Sequence, residues 1–338
     1  MIKSVKHFLK IRKYKKRFYK EYNAFLKGVE NSHRGYSAFR QLFILTRGKS
    51  NDDLSNEINK SIGKYDDLKP NGVLGDYINK SLHEIVCKME EDGFYVFETK
   101  LSDDKINAIY EYAKKTPVSY MNTENENQEY LSKKVVFNEE HPLSPRYQYT
   151  SEEIFNCPEL QELVFDQSLL AFAQEYLGCK PILDLVAFWW SAPFGGKAKN
   201  AAAQMYHFDL DRIKFMKFFF YITDVDTNTG PHCFVKGSHK TLPIAVDRDG
   251  RYEDQEIESI YGKKNVLELC GKKGSIMAVD TRGFHKGKDL LNGKRLLFQI
   301  QFTNSLFGQS YRKTDSKLIN DKHKYFANKY NYSYKNIS

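Results

Sequence analysis

The chain has 338 residues, and its 52 Lys and Arg against 43 Asp and Glu give a formal net charge of +9. This length fits one main domain with an N-terminal extension better than two equal domains. There is no apolar run of about 18 residues and no short apolar leader, so the sequence predicts neither a membrane span nor a secretion signal. The 5 cysteines are scattered without the spacing of a disulfide framework, which indicates a cytoplasmic location.

The first 20 residues are strongly basic and carry no acidic side chain. Their basic residues are Lys3, Lys6, Lys10, Arg12, Lys13, Lys15, Lys16, Arg17 and Lys20. Apolar residues recur among them at steps of three or four, as at Val5, Phe8 and Ile11, which predicts a basic amphipathic helix. Such a helix has three candidate roles: packing on the catalytic domain, peripheral association with the anionic inner face of a membrane, or nonspecific contact with nucleic acid, the least favoured of the three.

After the basic segment, the sequence shows further helical patterns and then one long main domain. Helical spacing continues over residues 21–45, and the polar stretch 46–71 is predicted to be a linker with one short helix at 54–62. Further helices are predicted at 103–115 and 158–178. The chain therefore divides into a basic helical extension with a linker at 1–75, a catalytic domain at 76–305 and a polar C-terminal tail at 306–338.

Two short motifs lie among predicted strands in the second half of the catalytic domain. The first is His207-Phe208-Asp209, and side chains two apart on a strand project from the same face. The second runs from Asp280 to His285 and follows the apolar run 276–279. A tight turn at Asn292-Gly293 then leads to a strand-like run that starts at Arg295. We expect this turn to form a hairpin that returns Arg295 to a position beside His285.

Together the two motifs supply the ligand set of a non-haem iron(II) oxygenase. The imidazoles and carboxylate of His207, Asp209 and His285 would occupy one face of the metal and leave positions open for oxygen and a co-substrate. Arg295 offers a planar fork that matches a carboxylate through two parallel hydrogen bonds. A His-x-Asp motif alone is a weak signal, because hydrogen-bonded histidines are common. The order and context of the other motifs strengthen it.

The chain resembles the phytanoyl-CoA dioxygenase-like family of iron(II)/2-oxoglutarate-dependent oxygenases over residues 85–305. The resemblance rests on His207-Phe208-Asp209, Thr223-Asp224 before Gly230-Pro231, Lys236-Gly237-Ser238-His239, and Asp280 through His285 with Gly287, Asn292 and Arg295. It implies a mainly β fold with flanking helices, a double-stranded β-helix of the jelly-roll or cupin type. It also implies Fe(2+), 2-oxoglutarate and O2 as cofactors, with His207, Asp209 and His285 as iron ligands and Arg295 as the clamp for 2-oxoglutarate.

Two positions depart from the family pattern. Gly287 stands two residues after the distal histidine, where many members have a serine, and this leaves the second contact to 2-oxoglutarate open. His232 follows Gly230-Pro231, where an apolar residue is usual, and we interpret it as a surface change. No Cys-x-x-Cys motif and no further carboxylate cluster accompanies His232 and His239, so a second metal site is not predicted.

Asp209 favours one reaction over another. Relatives that halogenate replace this carboxylate by a small residue and leave a position for chloride, so the resemblance implies hydroxylation of an unactivated C–H with release of succinate and CO2. The substrate is expected to be a small molecule, with an anionic, lipid-linked or nucleotide-linked compound favoured. The alternative is a catalytically silent binding or scaffold protein on the same fold, recruited to a membrane by the basic helix. The sequence does not indicate the oligomeric state.

Four further side chains are weaker candidates for the pocket. Lys217 interrupts the apolar run 215–223, where a cation is costly unless it is paired. It either contacts 2-oxoglutarate or an anionic substrate, or lies on an edge strand facing solvent. Gln204 is a candidate contact to the co-substrate. Trp190 and Arg212 are candidate substrate contacts, although core packing and a salt bridge are the favoured alternatives.

Overall fold

The structure is a computed structural model that describes residues 2–77, 79–123, 129–194, 205–246, 248–311 and 313–337. Its α-helices are α1 Ile2–Leu26, α2 His33–Thr46, α3 Lys49–Ile62, α4 Asn79–Asp92, α5 Asp103–Lys115, α6 Ser151–Phe155, α7 Pro158–Val164, α8 Gln167–Leu177, α9 Asp254–Tyr261 and α10 Asp321–Lys329. Its β-strands are β1 Asn71–Gly72, β2 Gly75–Asp76, β3 Phe94–Lys100, β4 Val118–Met121, β5 Tyr130–Val135, β6 Arg146–Gln148, β7 Ile182–Ser191, β8 Phe215–Tyr221, β9 His232–Val235, β10 Val266–Leu269, β11 Ser275–Val279, β12 His285–Gly287 and β13 Arg295–Thr303.

An eight-stranded antiparallel sheet forms the larger half of the barrel, in the order β3-β11-β8-β13-β7-β6-β4-β5. The central strands β8 and β13 are buried along their whole length, because both faces of the sheet are covered. One face, with Phe218 and Phe298, packs on a helical layer that includes Phe172 of α8. Successive side chains on a strand point to opposite faces. Lys217 and Phe219 therefore lie on the other face, where they line a cavity.

A three-stranded antiparallel sheet, in the order β10-β9-β12, faces the cavity side of the larger sheet. Phe219 and Met277 of the larger sheet and Phe234 of the smaller sheet share one apolar cluster between them. The two sheets form the double-stranded β-helix, which confirms the predicted fold class.

The hairpin predicted between β12 and β13 is wrong, because the two strands belong to different sheets. β12 pairs with β9, and Leu290 then bridges to Thr229, so the chain stays with the smaller sheet beyond His285. The turn at Asn292-Gly293 precedes a crossing to the larger sheet, where β13 pairs with β7 and β8. Arg295 and His285 consequently reach the cavity from two different sheets.

The N-terminal helices pack on the barrel through an apolar cluster of their own. Phe18 of α1 is 1% exposed, and its ring contacts Phe307 in the segment after β13, with 5.3 Å between ring centroids. The stretch 46–71, predicted as a linker with one short helix at 54–62, is mostly helix: α3 spans 14 residues. Its apolar residues Leu54 and Ile58 stand four apart and are buried against the barrel.

The C-terminal segment, predicted as a polar tail, also packs on the barrel. It contains α10, and the side chains of Tyr330 and Tyr334 that follow are buried in the main core. The Tyr334 hydroxyl donates a hydrogen bond to the carbonyl of Val164 at 2.9 Å. Large aromatic side chains thus anchor a stretch whose overall composition is polar.

Candidate metal centre

The three predicted metal ligands converge on the wall of the cavity between the sheets. One ligand atom from each of His207, Asp209 and His285 lies within 4.8 Å of the others. The backbones of the two histidines form a two-way bridge: His207 N donates to His285 O at 3.0 Å, and His285 N donates to His207 O at 2.8 Å. Two segments that are distant in the sequence are therefore joined at the ligands themselves.

The first motif is irregular in structure. His207 lies in an isolated bridge and Asp209 in a loop, so the strand predicted for this motif does not form. Both side chains still reach the same point, with 3.7 Å between His207 Nε2 and Asp209 Oδ1. The amide of Asp209 donates to Thr281 O at 2.7 Å, so the second motif holds both ligands of the first in place.

Each imidazole presents its Nε2 atom to the centre, because its Nδ1 atom contacts a backbone carbonyl. His207 Nδ1 lies 2.9 Å from Met205 O, and His285 Nδ1 lies 2.9 Å from Gly283 O. With Nδ1 assigned as the donor from these contacts, Nε2 is the unprotonated atom that a metal requires. Burial lowers the pKa of His207 to about 3, so this ring is neutral at physiological pH.

Lys217 provides the positive charge next to the carboxylate ligand. Its Nζ atom donates to Asp209 Oδ2 at 2.6 Å and lies 3.7 Å from Asp211 Oδ2. Burial raises the pKa of Asp209, but Lys217 together with His285 and His207 outweighs it and holds this pKa well below its ordinary value. The edge-strand alternative for Lys217 is wrong, because β8 lies between β11 and β13 and the side chain is 8% exposed.

Three buried hydrogen bonds support the segment that carries His285. The carboxylate of Asp280 accepts hydrogen bonds from the guanidinium of Arg282 at 2.7 Å and from the hydroxyl of Tyr176 at 2.5 Å. The amide of Phe284 donates to Ser238 Oγ at 2.7 Å. The Gly-Ser-His motif noted in the sequence therefore positions the distal ligand by a hydrogen bond to the residue before it.

The same cavity, of about 420 Å³, is also lined by Arg295. Its Nη2 atom donates to Ser191 Oγ at 3.1 Å, and its buried Nε atom has no partner among the described residues. Arg146 and Arg295 both pair with Ser191 in the sheet, so the two arginines flank this serine on adjacent strands. Burial lowers the pKa of Arg295 to about 10, and the charge of Arg146 contributes to the lowering.

These residues fit ferrous ion and 2-oxoglutarate. Two imidazole nitrogens and one carboxylate form a three-ligand set that leaves coordination positions open. Arg295 is a buried cation with no carboxylate partner among the described residues, a state that an incoming carboxylate relieves. The hydroxyl of Ser191 lies beside it, where it would offer the second contact to 2-oxoglutarate that Gly287 cannot supply. The residues that would hold the two groups thus lie in one cavity.

His232 is a cavity residue that the sequence analysis misjudged. It is 7% exposed, its ring lies 5.3 Å from that of His285, and its Nε2 atom has no partner among the described residues. Burial holds its pKa well below the ordinary value, so the ring is neutral. The interpretation of His232 as a surface change is wrong, because β9 belongs to the smaller sheet, which faces the cavity. His232 and Phe234 stand two apart on this strand and therefore face the same side, which was the sign in the sequence that His232 is a cavity residue.

Three weaker candidates receive different placements. The prediction that Trp190 contacts the substrate is wrong: its ring stacks on Phe137 outside the barrel, and Trp189 lines the cavity instead. Arg212 is occupied by a buried bidentate pair with Asp184, at 2.9 and 2.7 Å, which leaves it no role in the cavity. Gln204 lies outside the described residues.

Comparison with known proteins identifies the family. The phytanoyl-CoA dioxygenase (PhyH) family matches residues 89–295, which is more than half of the chain. The chain belongs to this family of iron(II)/2-oxoglutarate-dependent oxygenases. The matched region contains the three candidate ligands and ends at Arg295. Curated proteins show no significant match to the chain.

Solved structures similar to this one include three with low sequence identity. EctD from S. alaskensis with bound Fe is 16% identical at a TM-score of 0.48, covering 72% of this chain and 80% of its own. SnoN, a non-heme alpha ketoglutarate dependent epimerase from nogalamycin biosynthesis, is 13% identical at a TM-score of 0.47, covering 67% and 84%. AviO1 from Streptomyces viridochromogenes Tue57 is 16% identical at a TM-score of 0.45, covering 68% and 96%.

Replacing Lys217 by methionine is expected to destabilise the metal-free protein. The variant leaves the buried carboxylates of Asp209 and Asp211 without the cation that contacts both. Removing one partner of a buried ion pair costs about 3–5 kcal/mol, which urea unfolding measures directly. A divalent cation should restore part of the loss, because it gives Asp209 a new positive partner. The control Lys272→Met removes an exposed pair with Asp224 and should cost less than about 1 kcal/mol. Equal losses in the two variants would contradict this account.

The metal-free protein is expected to lose stability as the pH falls from 7 to 5. Burial lowers the pKa of His207 to about 3 and that of His239 to about 4, whereas both titrate near pH ~6.5 when unfolded. Below that pH the unfolded state binds more protons, so each ring reduces the free energy of unfolding by up to about 1.4 kcal/mol per pH unit. Urea unfolding in the presence of a chelator measures the slope. His239→Gln should flatten it, and a stability unchanged over this range would refute neutral burial.

Proposed function

We propose that the protein is an iron(II)/2-oxoglutarate-dependent hydroxylase of a small molecule. The proposal rests on one observation: His207, Asp209 and His285 converge in a cavity that Arg295 also lines. Ligands for a ferrous ion and a clamp for a dicarboxylate thus share one space. The cavity volume of about 420 Å³ is within the usual range of small-molecule sites, about 300–1,000 Å³.

Each group of residues has a separate task in this reaction. The two histidines and Asp209 hold the metal, while Arg295 and Ser191 hold the distal carboxylate of 2-oxoglutarate. Bound iron and 2-oxoglutarate supply the oxidation, in which the co-substrate loses CO2 to become succinate and one oxygen atom of O2 enters a C–H bond. The protein contributes position, since reacting atoms held in the right geometry need no further ordering at the moment of reaction.

The walls of the cavity suit a reaction from which water must be excluded. Trp189, Phe219 and Leu297 are buried and present apolar surface to the same space as the ligands. Lys217 keeps Asp209 anionic through the 2.6 Å contact, so the carboxylate is available as a ligand without the loss of a proton. The cavity is therefore prepared for metal binding and closed to bulk solvent on its apolar side.

Asp209 supports hydroxylation over halogenation. A halogenating relative needs an open metal position for chloride where this chain has a carboxylate. Asp209 is held there by Lys217 and by its own amide, which donates to Thr281 O. Lys217 holds the side chain and Thr281 holds the main chain, so the carboxylate does not vacate its place readily. We therefore assign transfer of a hydroxyl group as the outcome.

Succinate is expected to form only when iron(II), 2-oxoglutarate, O2 and a substrate from a metabolite pool are all present. Mass spectrometry should show a substrate that gains one oxygen atom. Asp209→Ala and His285→Ala should each abolish succinate release, because the two ligands that remain in each variant do not hold the metal. Arg295→Leu should raise the 2-oxoglutarate concentration that is needed by about tenfold or more, since a charge-assisted hydrogen bond is lost.

His83→Ala, a change to an exposed histidine on α4, serves as the matched control and should leave turnover unchanged. Unchanged turnover in Asp209→Ala or His285→Ala would remove the metal assignment. Metal analysis after anaerobic purification separates the hydroxylase from a catalytically silent scaffold protein on the same fold. The hydroxylase retains stoichiometric iron in the wild type and loses it in these two variants, whereas a scaffold retains none.

A further inference from the structure

We propose that Arg146 forms a second anion site in the cavity and binds a carboxylate or phosphate ester group of the substrate. This inference rests on the proposed function and adds a substrate class to it. Arg146 was not predicted as a site residue, and it stands at the start of β6, which pairs with β7.

The guanidinium of Arg146 lies in the cavity wall and has no acidic partner among the described residues. Its Cζ atom is 4.4 Å from the ring centroid of Trp189, so the planar group stacks on an aromatic face. Its Nη2 atom donates to Gln148 Oε1 at a long 3.3 Å, and its buried Nε atom has no hydrogen-bond partner among the described residues. A stacked guanidinium with free donors is pre-organised to bind an oxyanion bidentately.

The other cations of the cavity have assigned partners. Lys217 contacts Asp209 and Asp211, and Lys288 contacts Glu268 at 2.6 Å. The positive charge of Arg295 is matched by the distal carboxylate of 2-oxoglutarate in the proposed function. The second carboxylate of that co-substrate and Asp209 together offset the charge of a ferrous ion. One positive charge remains in the loaded cavity, and Arg146 carries it.

Arg146 is also directed away from the co-substrate clamp. Arg146 and Arg295 are in register with Ser191 from the two sides of β7, which separates their backbones by roughly 10 Å at the usual strand spacing. Arg295 contacts Ser191, whereas Arg146 leans along β7 over Trp189. The two guanidiniums thus serve different positions in the same cavity, and an anion at Arg146 would extend along the wall that Trp189 forms.

The test uses acetate and methyl phosphate as probes, added to the full chain loaded with redox-inert zinc(II) and 2-oxoglutarate at constant ionic strength. The fluorescence of Trp189, one of only 2 tryptophans, reports on binding next to it. Wild type should respond saturably to at least one probe. Arg146→Leu should raise its dissociation constant about tenfold or more, as expected for a lost charge-assisted hydrogen bond. The stronger probe identifies a carboxylate or a phosphate ester as the preferred group.

Two controls separate this inference from the proposed function. Arg34→Leu changes an exposed arginine on α2 and should leave the response unchanged. Calorimetric titration with 2-oxoglutarate should give the same affinity in Arg146→Leu as in wild type, but a large loss in Arg295→Leu. No saturable response in wild type, an equal response in Arg146→Leu, or a loss of 2-oxoglutarate affinity in that variant would overturn the second anion site. Failure of wild type to bind metal and 2-oxoglutarate would instead overturn the proposed function.

A second inference concerns α1, and it is independent of the cavity. Only the later part of α1 is docked, through the buried Phe18 and the partly buried Ile11 and Tyr14. Before these residues, Val5, Phe8 and Leu9 are 54%, 64% and 55% exposed. Because they stand at positions i, i+3 and i+4, they form one patch on the helix surface. Exposed basic side chains at Lys6, Lys10, Arg12 and Lys13 lie on the same part of the helix, and residues 1–20 contain no acidic residue.

We infer that this part of α1 binds the surface of an anionic lipid bilayer. The cations complement negative headgroups, and three exposed apolar side chains gain by entering the interface, a gain that nucleic acid does not offer. No helix in the described part of the chain is long and apolar enough to span a membrane. α1 would therefore lie on the bilayer while its docked part holds the barrel close to the surface.

Flotation of the full chain with vesicles tests this inference. Binding should be strong to phosphatidylcholine vesicles that contain phosphatidylserine, weak to phosphatidylcholine alone, and reduced by salt. Lys6→Gln combined with Lys10→Gln and Lys13→Gln should weaken binding on the order of a hundredfold. Phe8→Ser should weaken it without changing the salt dependence, because it removes apolar contact alone.

The matched control carries three charge changes elsewhere, at the exposed Lys240, Lys263 and Lys264, and should bind as wild type does. Equal binding to neutral and anionic vesicles would overturn the inference. So would vesicle binding that Phe8→Ser leaves intact, or a preference for random duplex DNA over phosphatidylserine vesicles at the same ionic strength. Each of these outcomes leaves the assignments in the cavity untouched.

Discussion

The centre depends on the pair of backbone hydrogen bonds that joins His207 to His285. These bonds bring two segments from distant parts of the chain into contact at the ligands. The amide of Asp209 and the amide of Phe284 add one bond each, to Thr281 and to Ser238. The ligand set is therefore held by main-chain contacts, so a metal ion finds its ligands already in place.

Electrostatics in the cavity follow from its burial. Within the described residues, Lys217 is the cation in contact with the carboxylate ligand, and Arg146 and Arg295 are left without acidic partners. A cavity of this kind is costly when empty, because buried charges lack compensation. It favours the ligands that complete the charge balance: a divalent metal beside Asp209 and oxyanions beside the arginines. The charges that the fold buries in the cavity thus match the groups that are proposed to bind there.

The metal ligands and the fold class could be predicted from the sequence, because motif order and strand alternation are local properties. The partner of Lys217 could not be predicted, since Asp209 lies in a loop whose path depends on Thr281 in a distant segment.

The choice between Trp189 and Trp190 required knowing which residues of β7 face the cavity, and ambiguous apolar runs do not reveal this. The short helix predicted at 54–62 omitted the first turn of α3, where Asn, Asp and Ser residues mask the helical pattern, and the burial of Leu54 and Ile58 explains the stability of the helix. The crossing of the chain from β12 to β13 is a tertiary event that turn residues alone do not specify.

The most direct measurement is anomalous X-ray diffraction at the iron edge, from crystals grown anaerobically with ferrous ion and 2-oxoglutarate. The account predicts one strong peak within bonding distance of His207 Nε2, His285 Nε2 and a carboxylate oxygen of Asp209. It also predicts electron density for the co-substrate that runs from this peak to the guanidinium of Arg295. A peak at any other place, or co-substrate density that leaves Arg295 without a carboxylate, would contradict it.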